Sequence, residues 1–143
     1  MLKLIPKTLS PDLLKILCEM GHGDTIVIAD ANYPSASNAK QLIRCDGISA
    51  TQMLKDILTV LPIDKSSELP VKLMEVSESD KPLEPVIWDE FLEIIEKSEK
   101  RKVKFEFLDR FKFYESGKEA YAIVATGETA LYGNIILTKG VVE

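Results

Sequence analysis

Apolar residues recur at helical spacing in three segments of the chain. The first segment follows Ser10 and Pro11, which suit a helix start because serine caps an early backbone N–H and proline has none to lose. This spacing predicts a helix over residues 11–20, which Gly21 would end in a left-handed conformation. A second helix is predicted between Ser49 and Pro62, and a third near residues 86–98.

Short runs of β-branched and aromatic residues alternate with these helices. Residues 25–29 are apolar on both faces, which is typical of a strand in a sheet covered on both sides. In residues 103–108, Val103, Phe105 and Phe107 share one face, as in a half-buried strand. Further strands are predicted at residues 73–76, 121–125 and 135–138, and a short helix ending at Gly117 is one interpretation of residues 110–118.

This order of elements predicts the fold class. Helices that alternate with strands favour an α/β fold with helices on both faces of a sheet, so we expect a layered α/β/α domain spanning residues 1–143. The last two strands are too close in sequence for a helical crossover between them. We therefore expect a mixed sheet with an antiparallel part.

Composition and charge exclude several classes of function. The net charge of −5 disfavours binding to nucleic acid or to anionic membranes. No apolar run approaches the roughly 18 residues of a membrane span, and the N-terminus lacks the features of a signal peptide. Cys18 and Cys45 lie in unrelated contexts, as reduced intracellular thiols do, so we expect a cytoplasmic protein.

The single histidine of the chain is the first candidate for chemistry. His22 lies between Gly21 and Gly23, and the small glycines would let a ligand approach the backbone. Imidazole both donates and accepts protons near neutral pH. The competing interpretation, which the residues alone favour, is an exposed turn without a chemical role.

Polar residues at strand ends are the other candidates. Asp30 directly follows a predicted buried strand, where α/β sheets bind ligands, although it could simply cap its own loop. Tyr132–Asn134 precedes the last strand and offers a phenol and an amide for a polyol, or else a turn at the rim. Arg110 could bind a hydroxyl-rich or anionic ligand, or pair with Glu115.

Motifs for metals and cofactors do not occur in the chain. One histidine and two distant cysteines do not make a strong zinc site, and neither a phosphate loop nor a dinucleotide fingerprint occurs. The residues therefore favour a site for acid–base chemistry or polyol binding, and we expect no cofactor and no metal.

Five runs of the sequence resemble the D-ribose pyranase/L-fucose mutarotase family. They occur in the family's order and span nearly the whole chain, while residues 62–104 resemble the family more loosely. Within the third run the family usually has alanine in place of Cys45. The matching runs are residues 13–24, Ile28–Pro34, Ile43–Gly47, Arg110–Glu115 and Ala125–Leu137.

The resemblance implies a function as well as a fold. It implies an isomerase that interconverts the α and β anomers of a free sugar without a cofactor, in a ring-shaped homo-oligomer, often a decamer. It assigns the role of proton donor to His22. It places sugar contacts in the remaining candidates, which are Asp30, Arg110, Tyr132, Gly133 and Asn134. The fucose branch has the second glycine of Gly-His-Gly, the complete Tyr-Gly-Asn and arginine at 110, so L-fucose is the expected substrate.

The separation of His22 and Asp30 raises a geometric question. A strand of about five residues lies between them, and it spans roughly 16 Å. Either the chain doubles back at Gly23, or His22 of one subunit serves the Asp30 site of another, and we favour the shared site. A pyranase or mutarotase for D-ribose or another monosaccharide, and a non-catalytic sugar-binding module, are the alternative functions.

Overall fold

The computed structural model describes all 143 residues of the chain. Six strands and five helices alternate along it, with a single 3-10 turn at Glu78–Asp80. The helices are α1 Pro11–Glu19, α2 Ser35–Asn38, α3 Ala50–Ile57, α4 Ile87–Glu99 and α5 Arg110–Glu119. The strands are β1 Thr25–Ala29, β2 Leu42–Cys45, β3 Val71–Met74, β4 Phe105–Leu108, β5 Ala122–Thr126 and β6 Ile135–Thr138.

All six strands form one mixed sheet in the order β2-β5-β1-β6-β3-β4. Strand β6 is antiparallel to both of its neighbours, β1 and β3, whereas all other pairs are parallel. The predicted mixed sheet is confirmed. The short link from β5 to β6 contains no helix, so β6 enters the sheet in the direction opposite to β5.

Helices cover both faces of the sheet, which confirms the layered α/β/α prediction. On one face, α1, α3 and α4 pack their apolar sides on the sheet in a cluster of 24 buried residues. On the other face, α2 and α5 cover a smaller cluster of eight buried residues that includes Tyr33 and Phe113. The central strand β1 contributes to both clusters, so its buried residues carry side chains into both layers.

The helix starts follow the predicted capping chemistry, but one predicted helix end is wrong. Ser10 and Ser49 each accept a hydrogen bond from a backbone N–H of the first turn, at 3.2 Å. Helix α1 ends as the backbone becomes extended at Met20, and Gly21 does not take the left-handed conformation. Gly23 takes it instead, with φ +88°, in the turn that leads into β1.

Other boundaries also differ from the prediction. Strand β3 begins two residues earlier than expected, at Val71, and the segment Leu42–Cys45 is a strand that the sequence pattern does not reveal. Helix α5 continues through Gly117 to Glu119, and the absence of a β-carbon at Gly117 leaves room for the Tyr33 hydroxyl against the helix. Phe107 lies on the predicted face but remains 48% exposed, since β4 is an edge strand.

None of the helices combines the length and the apolar character that crossing a membrane would require.

Candidate active site

A cavity of about 360 Å³ lies at one end of the strands of the sheet. The parallel strands β1, β3 and β4 have their carboxyl ends there, and the antiparallel strand β6 begins there. Residues directly after β1 and directly before β6 therefore meet. Thirteen residues line the cavity: Asp30, Asn32, Tyr33, Met74, Glu75, Ser77, Ser79, Asp80, Arg110, Tyr114, Leu131, Tyr132 and Asn134.

Asp30 and Asn134 form the buried floor of the cavity. Asp30 is only 7% exposed, and its carboxylate accepts hydrogen bonds from the backbone N–H of Asn32 and the amide of Asn134, both at 2.9 Å. Burial raises the pKa of Asp30 above its ordinary value, although these donors act in the opposite direction. Asp30 therefore caps its own loop, as one interpretation of the sequence expected, and it also lines the cavity, where its role in binding stays a prediction.

Tyr132 enters the cavity from a strained backbone position. Its φ of +59° is uncommon for a residue with a side chain, and its carbonyl accepts a hydrogen bond from the Trp88 indole at 3.1 Å. The phenol oxygen contacts Ser77 and Asp80 on the opposite wall. The next residue, Gly133, has no room for a β-carbon, which would lie 2.9 Å from the Ala130 carbonyl oxygen.

Arg110 supplies the only cationic side chain of the cavity. It is the first residue of α5, which Asp109 caps by accepting bonds from two backbone N–H groups. The guanidinium lies 5.7 Å from the centre of the Tyr114 ring, a cation–π geometry, and it forms no ion pair with Glu115. Its hydrogen-bond donors are therefore available to a ligand.

His22 lies away from this cavity. It precedes β1, whereas Asp30 follows that strand, and the neighbouring Gly23 N–H bonds to Lys139 beyond the far end of β6. Its side chain is 51% exposed, and Nε2 lies 3.2 Å from Oδ1 of Asp64. Within one subunit, the structure brings together Asp30, Arg110, Tyr132 and Asn134 but not His22.

Asp64 is a functional candidate that the sequence pattern does not single out. Its Oδ1 accepts hydrogen bonds from the backbone N–H and the hydroxyl of Ser66, at 2.9 and 2.8 Å, and it also contacts His22. The Ser66 bonds chiefly, and the His22 contact secondarily, lower the pKa of Asp64. The only sequence signal is an aspartate two residues before a serine, which is common in turns.

The cavity is rich in hydrogen-bond acceptors. Asp30, Glu75 and Asp80 bring carboxylates to it, and only Arg110 brings a positive charge. Such a lining suits a neutral ligand with many hydroxyl groups, because each hydroxyl can donate to a carboxylate. No cluster of three or more histidine, cysteine, aspartate or glutamate side chains is arranged to hold a metal ion.

The fold and this cavity define an α/β protein with a carboxylate-rich cavity at the carboxyl end of the parallel strands of its sheet. Residues 3–142 match the RbsD / FucU transport protein family, and the chain belongs to that family.

The chain is similar over nearly its whole length to fucose mutarotases and to a protein complexed with D-ribose. The chain is 45% identical over 141 residues to an L-fucose mutarotase from Histophilus somni, covering 99% of this chain and 97% of the relative. It is 53% identical, with a TM-score of 0.93, to the fucose mutarotase from Streptococcus pneumoniae, which was crystallised with L-fucose, covering 99% of this chain and 100% of that one. RbsD from Bacillus subtilis, complexed with D-ribose, is 26% identical with a TM-score of 0.73 and full coverage of both chains.

Proposed function

We propose that this protein is an isomerase that interconverts the α and β anomers of L-fucose. One observation carries the proposal: polar residues from three distant segments, Asp30, Arg110 and the pair Tyr132 and Asn134, line one cavity of monosaccharide size. The similarity to fucose mutarotases over nearly the whole chain supports L-fucose over D-ribose, because the ribose-binding relative is much less similar.

The reaction needs only proton transfer. The cyclic hemiacetal opens when a proton reaches the ring oxygen and another leaves the anomeric hydroxyl. The C1–C2 bond then rotates, and the ring closes on the opposite face of the carbonyl. No electrons are exchanged, so one positioned acid–base group and a few orienting contacts suffice for a reaction that water performs slowly.

In this proposal the residues have separate roles. The His22 imidazole delivers and recovers the proton, and the Asp30 carboxylate accepts a hydrogen bond from a sugar hydroxyl. The guanidinium of Arg110 donates to sugar oxygens. The wall that orients the sugar ring is formed by Tyr132, Gly133 and Asn134. Gly133 lets this segment pack closely against Ala130, where a β-carbon would not fit.

The active site is proposed to be shared between subunits. His22 and the cavity lie at opposite ends of β1, a five-residue strand about 16 Å long, so His22 of a second subunit must complete each site. Leu131 at the cavity and Phe111 beside Arg110 are 61% and 73% exposed, which supports docking of another copy at this face. We propose a ring-shaped homo-oligomer, with a decamer as the expected form.

The remaining expectations belong to the same proposal. The whole chain, residues 1–143, acts as one mutarotase domain, because both ends of the sheet contribute to the reaction. The free thiols of Cys18 and Cys45 support the reducing cytoplasm as its compartment.

Exchange NMR on the purified protein tests this function. Magnetisation transfer between the two anomeric proton signals is measured for L-fucose, D-ribose and D-galactose at equal concentrations. We expect the largest acceleration for L-fucose. Faster exchange for D-ribose would reassign the enzyme to the alternative substrate, and binding without acceleration would indicate a sugar-binding module.

A further inference from the structure

The phenol oxygen of Tyr132 has no free hydrogen-bonding capacity. A phenol has one donor and two acceptor positions. Tyr132 donates to the Asp80 carboxylate and accepts from the backbone N–H of Ser77 at 3.1 Å. The Ser77 hydroxyl, also at 3.1 Å, must then be the donor to the second acceptor position.

These contacts also hold a wall of the cavity. We call residues 77–80 the strap, because they cross the cavity edge opposite Asp30 and include the 3-10 turn. Two kinds of contact join the side chains of the strap to the rest of the protein. One is the set of hydrogen bonds to Tyr132, and the other is the exposed ion pair between Glu78 and Lys81, the residue that follows the strap. Apart from the Leu83 N–H, which donates to the Asp80 carbonyl oxygen, the phenol group of Tyr132 therefore supplies the polar contacts that hold this wall to the rest of the protein.

We propose that Asp80 is a positioning residue that makes Tyr132 a hydrogen-bond acceptor toward the sugar. Asp80 occupies the only phenol proton, so the oxygen can receive a bond from a sugar hydroxyl but cannot donate one. The incoming hydroxyl replaces the Ser77 hydroxyl at the second acceptor position. This inference rests on the proposed sugar site and adds Asp80 and Ser77 to it.

The Ser77 hydroxyl is the contact that a ligand can displace. The Asp80 bond involves a charged acceptor and is the strongest of the three, and the Ser77 N–H is fixed by the backbone of the strap. The Ser77 hydroxyl also lies 3.1 Å from the Ser79 hydroxyl, so it keeps a partner after it leaves Tyr132. Displacement therefore leaves no polar group without a hydrogen bond.

Replacing Asp80 with asparagine should change the Tyr132 hydroxyl from a hydrogen-bond acceptor toward the sugar into a donor. The asparagine amide can donate to the phenol oxygen, which releases the phenol proton toward the cavity. We expect Asp80→Asn to raise the Kd and the KM for L-fucose about tenfold, because the phenol oxygen no longer accepts a hydrogen bond from the sugar hydroxyl, while kcat changes less than twofold. Glu78→Gln removes the same charge from the same strap outside the sugar cavity and should leave both constants unchanged.

A double-mutant cycle shows whether Asp80 acts through Tyr132. In a Tyr132→Phe background, Asp80→Asn should change the Kd less than twofold, because the group it controls is already absent. Tyr132→Phe alone also provides the test if Asp80→Asn folds poorly, since it removes the same contact and should raise the Kd at least as much.

Two outcomes separate this inference from the proposed function. An unchanged Kd in Asp80→Asn, or full additivity of the two substitutions, would overturn the role of Asp80 even if the protein catalyses exchange. Wild-type protein that binds L-fucose without accelerating exchange would contradict the proposed activity, while a tenfold weaker Kd in Asp80→Asn would still support the role of Asp80.

Discussion

Asp30 and Asn134 lie 104 residues apart in sequence and hold each other through two hydrogen bonds. The Asp30 N–H donates to the Asn134 side-chain oxygen at 2.7 Å, and the Asn134 amide donates to the Asp30 carboxylate at 2.9 Å. This pairing follows from the antiparallel alignment of β1 and β6, in which Ile28 is opposite Ile135. The sheet topology thus builds the floor of the cavity.

Asn134→Ala should raise the pKa of Asp30 further. Burial already raises that pKa, and the substitution removes a donor that favours the ionised form. The Asp30 carboxyl carbon can be followed by ¹³C NMR against pH. Asn32→Ala is the matched control, because Asn32 bonds to Asp30 through its backbone N–H alone and keeps that bond. A lower or unchanged pKa in Asn134→Ala would contradict the pairing.

The same substitution should change how stability depends on pH. Because folded Asp30 binds its proton more tightly than the unfolded chain does, its contribution to stability is full below the ordinary pKa of 3.8. That contribution is lost as pH rises through the folded pKa. Asn134→Ala should extend the loss to higher pH, which urea unfolding at several pH values would measure. A free energy of unfolding that Asn134→Ala changes equally at every pH would show that stability is not linked to the protonation of Asp30.

Gly117 is a helix position at which alanine should destabilise the protein. Alanine normally favours a helix interior by about 1 kcal/mol over glycine. Here a β-carbon would overlap the Tyr33 hydroxyl oxygen, and such overpacking costs about 1–3 kcal/mol. We expect a lower free energy of unfolding for Gly117→Ala, partly restored by Tyr33→Phe, which removes that oxygen.

Gly47→Ala provides the control for this prediction. No atom lies within 4 Å of a β-carbon at Gly47, so alanine there should change stability little. Denaturant unfolding compares Gly117→Ala, Gly117→Ala with Tyr33→Phe, and Gly47→Ala with the wild type. Equal stability of Gly117→Ala with and without Tyr33→Phe would show that the ring is not the obstacle.

Asp64 should affect the rate more than sugar affinity. Its Oδ1 holds the His22 ring, so Asp64→Ala is expected to lower kcat for anomer exchange about tenfold by releasing the imidazole. Asp64→Asn retains an oxygen at that position and should recover part of the loss. Ser66→Ala keeps the carboxylate and serves as the control. A rise in KM with unchanged kcat would instead place Asp64 in sugar binding.

The central strands of the sheet were easier to predict from the sequence than the loop residues around the site. Strands β1 and β6 were predicted with their observed bounds, because continuous burial leaves a strong apolar signal. The predicted site residues all came from a resemblance to known proteins or from strand ends. Asp64 and Ser77 escaped prediction because they lie on irregular segments, and Asp80 because it lies in a 3-10 turn of only three residues. Their partners are distant in sequence, and no periodicity records such contacts.

Short and exposed elements escaped prediction for a related reason. Strand β2 and helix α2 each have four residues, and unlike the equally short β6 they contain at most one buried residue, so no continuous apolar run marks them. Gly117 suggested a helix end, since glycine is common there, but its role is close packing against a ring 84 positions earlier in the sequence, Tyr33. Only the tertiary structure distinguishes these two uses of glycine.

His22→Asn should abolish enhanced anomer exchange and leave the fold intact. The side chain is half exposed, so its loss should change stability by no more than about 0.5 kcal/mol. Circular dichroism and thermal unfolding verify the fold, and exchange NMR measures the rate. Wild-type exchange in the variant would remove the imidazole from the mechanism.

The most direct test of the shared catalytic site mixes two inactive variants. His22→Asn and Asp30→Asn proteins are each assayed, then dissociated together, reassembled and assayed for L-fucose anomer exchange, with mixed oligomers verified by native mass spectrometry. We predict that the mixture regains activity, because some sites combine an intact His22 with an intact cavity from another subunit. Mixed oligomers that remain as inactive as the separate variants would contradict a site built from two subunits.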